Sequence, residues 1–184
     1  MTSFSNELGR LAQGAGTRMP TGTNIIHFIA KKTVPVRRTV TYGRIVATIR
    51  SAKVETHRVR LTVDSNRTNY YGDKSIFMAE IETVNILLNS TISTPHVIFS
   101  TVDVKDFYFN TPISTFEYMR LPINIIPEEI ILECNLLSRV VNRYIYIEIR
   151  KGMYGLSQAG KIAFDRLKII LLNMATHQLP FPGT

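Results

Sequence analysis

Two carboxylates three residues apart, Asp103 and Asp106, close an apolar run and open an aromatic one. The run Val97-Ile98-Phe99-Ser100-Thr101-Val102 is rich in β-branched residues, the composition of a buried strand. Phe107-Tyr108-Phe109 follows Asp106 directly, and Pro112 ends the stretch, because proline cannot continue a central strand. The pattern predicts a core strand that lifts Asp103 out of the apolar interior into a tight, aromatic-lined turn. The chemistry open to such an acid is the binding of a hard cation. Mg²⁺ takes oxygen ligands, often one or two carboxylates together with substrate phosphates. A plainer use exists beside it: an Asp at a strand end is a turn-former that hydrogen-bonds its own backbone.

The charge around these acids is unevenly placed. Residues 31–74 hold eleven Lys and Arg against Glu55, Asp64 and Asp73, a balance of +8 that equals the net charge of the whole chain. Concentrated basic charge is the footprint of polyphosphate binding, with salt-sensitive affinity. A solvated surface that keeps the protein dissolved is the alternative.

The elements that must position these residues follow from the pattern. Residues 1–23, with Gly14, Gly16, Pro20 and Gly22, read as a flexible N-terminal arm, and 24–184 as one domain. Ile25–Ile29 reads as a short strand. Two extended segments, Val40–Ile49 and Val54–Val63, form a basic hairpin. In the second, Val59, Leu61 and Val63 alternate with Arg58, Arg60 and Thr62, the period of a half-buried strand. A helix is expected from Ser75 to about Ser93, capped by Ser75 or Asp73. Its core stripe is Phe77, Ile81, Val84, Leu88 and Ile92. Further on come an extended piece at 117–120, a helix start near Pro127, and an alternating strand at 144–150. A final helix from about Ser157 carries Ala159, Ala163, Leu167, Ile170 and Met174 on one face. The fold class is α+β, a mixed sheet packed by two to three helices with a basic β-hairpin.

VDVKDFYFNTP (102–112) closely resembles the first catalytic motif of reverse transcriptases. IEIRKGMYGLSQAG (147–160) is similar to the next polymerase motif as copia-type retrotransposons write it. SNELGRLAQG (5–14), TYGRIVATIR (41–50) and ETHRVRLTV (55–63) extend the similarity over most of the chain. The resemblance implies the fingers and partial palm of a right-hand RNA-directed DNA polymerase. It implies an RNA template, a DNA primer and deoxynucleoside triphosphates as partners, and Mg²⁺ (or Mn²⁺) as cofactor in the complete enzyme. Asp103 would bind the metals. Asp106 would sit where the turn backbone meets the triphosphate, and Tyr108 would stack beneath the sugar and select deoxynucleotides. Arg60 and Lys53 would reach the triphosphate from the hairpin. Gly155 and Gln158 would seat the base and template, unless they serve ordinary turn and capping chemistry.

The chain departs from that family in one respect. Polymerases of this kind need a later pair of aspartates, and no Asp-Asp occurs in this sequence. The expectation is therefore a fragment, truncated before the second carboxylate motif and inactive alone. The alternative is a non-catalytic, basic nucleic-acid-binding remnant. No P-loop, Gly-x-Ser-x-Gly or His-Glu-x-x-His supports a kinase or hydrolase. Cys134 is the single cysteine and the four histidines are scattered, so no zinc spacing exists. Apolar runs are too short to span a bilayer, and no secretory leader pattern opens the chain. The expected location is intracellular, cytoplasmic or nuclear.

Overall fold

The computed structural model describes residues 2–17, 19–51, 56–64, 66, 68, 70, 72–76 and 79–177. The chain is α+β; the described residues form a curled mixed sheet of five strands and four α-helices. In chain order the elements are α1 (Thr2–Leu11), β1 (Ile26–Ile29), β2 (Val40–Ile49) and β3 (His57–Val63). They continue with α2 (Ile81–Ser93), β4 (Pro112–Pro122), α3 (Glu128–Glu133), β5 (Tyr144–Lys151) and α4 (Ala159–His177). The strand order is β1-β5-β4-β2-β3, antiparallel throughout except for the parallel β2/β4 pair.

The core lies on one face of the sheet. Ile26, Phe28, Met119, Leu121, Ile145, Ile147 and Ile149 meet Leu8, Leu11 and Ala12 of α1 and Ile130 of α3 there. Residues 145–149 are all buried, so β5 is a central strand covered on both sides, and its apolar alternation marks only its core face. Val40–Tyr42 of β2 pair with β4, and from Gly43 onward β2 pairs, among the described residues, with β3 alone. Ile49 is 76% exposed and the hairpin carries Arg44, Arg50, Arg58 and Arg60.

Several expectations are corrected. In place of a flexible arm over 1–23, Thr2–Leu11 is a packed helix whose Leu8 and Leu11 are fully buried, and the described residues after it form a backbone-bonded loop. The glycines and proline that signal an arm sit after the helix, where they shape that loop. The core strand expected at 97–103 is not a strand; Ile98 is 90% and Val102 83% exposed. A strand holds only where its N–H and C=O groups find a neighbour, and among the described residues no strand lies beside this one. The helix expected from Ser75 starts at Ile81, and no residue of α2 is buried. Phe77 lies outside the described residues, while Ile81, Leu88 and Ile92 face solvent. Asp73 does not cap that helix. Its carboxylate accepts from Ser75 N and Oγ at 2.8 and 2.6 Å, a local turn. In α4, Ala159 and Ala163 pack into the core, but Ile170 and Met174 are exposed. An apolar stripe is buried only where another element lies against it. Among the described residues no helix is long and apolar enough to cross a membrane.

Candidate active site

A cleft of about 860 Å³ opens where α1, β3, the 103–108 turn, Tyr154 and the first turns of α4 converge. It brings together Asp103, Asp106 and Tyr108 from one sequence motif and Arg60 from the hairpin. Arg10, Arg58, Lys105, Glu7, Asn6 and Phe107 also line it. The cations there outnumber the acids by four to three.

The turn that carries the acids is tightly made. Asp106 adopts a left-handed backbone (φ 54), a conformation Asp tolerates. Phe109 N donates to Asp106 O at 2.9 Å and Thr111 N to Tyr108 O at 3.0 Å. Phe109 is the buried anchor, as expected of a large apolar residue, whereas Phe107 is half-buried on the cleft wall. Gly152 N then donates to Thr111 O at 2.8 Å, fixing the turn to the end of β5. A Cβ on Gly152 would stand 2.6 Å from Tyr108 O, so only glycine lets the two segments touch.

Tyr154 is the keystone of the aromatic wall. Its ring meets Phe109 at 5.1 Å and Tyr108 at 6.3 Å, both edge-on. The Arg60 guanidinium lies 4.6 Å over it. Tyr154 O accepts from Val63 N at 2.9 Å on the open edge of β3. Gly155 makes that junction possible. It has φ 89, and a Cβ there would fall 2.1 Å from Val63 O. Gly155 therefore sets the angle between hairpin and turn without itself lining the cleft.

Helix α1 supplies the opposite wall. Buried Glu7 accepts from Arg10 Nη2 at 2.8 Å and from Leu61 N of β3 at 3.4 Å. Arg10 also donates from Nη1 to Asp106 Oδ1 at 3.0 Å and lies 4.7 Å over the Phe109 ring. Burial works against the Arg10 charge, but the hydrogen bonds and charges of Glu7 and Asp106 outweigh it and raise its pKa. Two buried polar atoms of cleft-lining residues, Asn6 Oδ1 and Arg60 Nε, have no hydrogen-bond partner among the described residues.

The remaining expected site residues fall elsewhere. Lys53 lies outside the described residues. Gln158 is buried away from the cleft, where its Nε2 donates to Glu117 Oε1 at 3.4 Å. Arg10, Glu7 and Tyr154 are the residues that sequence reasoning missed as site members. The signal for the first two is their i, i+3 spacing in SNELGRLAQG, which on a helix makes an ion pair.

Among the described residues no three His, Cys, Asp or Glu side chains come together to hold an ion. Asp106 is engaged by Arg10, which leaves Asp103 as the exposed acid of the turn, with no partner among the described residues. No protein-family model, no curated protein and no solved structure matches the chain.

Proposed function

We propose that the chain is the nucleotide-holding half of a reverse-transcriptase-like polymerase, a fingers and partial-palm portion that binds a deoxynucleoside triphosphate without transferring it. One observation carries the reading. Asp103 and Tyr108 from one motif and Arg60 from the hairpin, each singled out by the resemblance, line one cleft. Arg60 and Arg58 bring positive charge suited to a triphosphate. The Tyr108 ring, flanked by the Tyr154 and Phe107 rings, is a fixed surface for a deoxyribose. Asp103 offers one carboxylate to a Mg²⁺ carried in with the phosphates, and the further acids of a transferring centre come from outside this set.

The test compares binding of fluorescent deoxy- and ribonucleoside triphosphates, with Mg²⁺, to the whole chain. The expected result is a deoxynucleotide preference that Tyr108→Ala abolishes, with no primer extension. Equal preference in both proteins refutes the sugar role, and Asp103-dependent extension refutes the inactivity. The basic-remnant reading differs in one respect. It predicts salt-steep oligonucleotide binding with no triphosphate affinity at the cleft.

A further inference from the structure

Two helices carry apolar faces that the sheet does not cover. No residue of α2 is buried, and Ile81, Ile86, Leu87, Leu88 and Ile92 are 37–83% exposed. In α4 an apolar stripe spaced at three and four residues is buried at Ala163 and half-buried at Leu167. It then runs on, exposed, through Ile170 and Met174. Ile169, Leu171 and Leu172 beside that stripe are exposed as well. Among the described residues α2 and α4 of one chain do not pack on each other. Both ends of the segment that holds α2 are nevertheless anchored at α4. A Cβ on Gly160 would stand 2.5 Å from Ile76, ahead of α2, and Val104, beyond it, lines the cleft with Leu167.

We propose that two copies of this chain form a two-fold dimer in which α2 of each covers the apolar end of α4 of the other. A two-fold interface is self-complementary, so this helix pair is made twice and both faces are covered at once. Charge favours it over like-with-like pairing. Glu80 and Glu82 open α2, and no Lys or Arg stands between Ser75 and His96. In α4, Asp165 holds Lys161 at 2.6 Å, while exposed Lys168 stands at the root of the apolar end. Two α2 helices would set acid against acid, whereas α2 on α4 brings Glu82 to Lys168. The area agrees. At roughly 60–120 Å² of apolar surface per side chain, the ten residues leave on the order of 500 Å² uncovered. Interfaces are only about 60% apolar, so these faces supply roughly the 800 Å² that each partner gives to a standard interface.

The inference is independent of the nucleotide reading, since Glu82, Ile86, Lys168 and Leu171 do not line the cleft. Sedimentation velocity of the whole chain at up to about 100 µM, above the micromolar limit for interfaces of this size, tests it. The expected species has twice the 20.9 kDa of one chain. Ile86→Glu and Leu171→Glu, each placing a charge in the interface, weaken dimerisation about tenfold or more. Both positions are exposed, so circular dichroism of the diluted variants matches the parent. Glu82→Lys and Lys168→Glu weaken dimerisation about fivefold each, and the two combined in one chain restore it. Should a glutamate variant unfold, the charge reversal and its repair decide. A monomer throughout the range, polydisperse aggregates in place of a dimer, parental dimerisation in both glutamate variants, or a charge reversal that its counterpart does not repair overturns the proposal.

Discussion

Arg10 Nη1 donates to Asp106 Oδ1 at 3.0 Å, tying the N-terminal helix to a turn ninety-six residues further on. Because Glu7 accepts from Arg10 and also from Leu61 N, the same contact reaches the edge of β3. Helix α1 is thus the strut that fixes the basic hairpin relative to the Asp103–Tyr108 turn. Arg10→Ala leaves the Glu7 carboxylate buried without its partner, and is expected to cost about 2–3 kcal/mol in urea unfolding. A double-mutant cycle with Asp106→Asn should return a coupling of about 1 kcal/mol. Zero coupling would show that the two ends are held independently.

Gly155 makes a second, backbone-level prediction. With φ 89 and Val63 O 2.1 Å from where a Cβ would stand, Gly155→Ala must push β3 off the 152–155 turn. The expected loss is about 2–3 kcal/mol of stability, with hydrogen exchange at Val63 N quickened. Unaltered protection of that amide would mean the junction does not hold the hairpin.

A pH dependence follows from Glu117. Burial raises its carboxyl above the ordinary value of 4.5, and Arg38 at 3.0 Å and Gln158 offset this only in part. A carboxyl raised in the folded state holds its proton more tightly there than when unfolded. Its contribution is fully present below the ordinary value and is lost as pH climbs through the folded one. The Tm of Glu117→Gln minus that of the parent should therefore rise with pH from about 4, then level off. A difference that stays flat, or falls, contradicts the assignment.

β1, β5, the alternation of β3 and the start of α4 are legible because their apolar positions match faces that the fold buries, whereas of β4 (Pro112–Pro122) the sequence shows only 117–120 as extended. Asp103 and Tyr108 were legible as a motif, and Arg60 by its spacing from Val63-Asp64. The 97–103 run was misread because β-branched composition says what a strand prefers, not whether a neighbour exists to pair with it. The same gap explains α2 and the exposed half of α4, whose stripes meet no partner among the described residues. Arg10 and Glu7 escaped notice because glycine-rich sequence after Leu11 made the whole N-terminus look loose. Tyr154 hid inside a turn motif where the glycines drew the attention.

That misreading yields its own test. Ile98→Ser and Val102→Ser alter side chains that are 90% and 83% exposed, so each should change stability by less than about 0.5 kcal/mol. Losses above about 2 kcal/mol in thermal unfolding would show that the segment is a buried strand after all.

The central claim is that the cleft between Arg60, Asp103 and Tyr108 holds a nucleoside triphosphate. Equilibrium titration of a fluorescent deoxynucleoside triphosphate against the parent chain and Arg60→Ala addresses it most directly. The account predicts saturable binding that Arg60→Ala weakens tenfold or more, about 1.4 kcal/mol, with thermal unfolding of the free variant little changed. No saturable binding by the parent, or equal affinity in the two proteins, contradicts it.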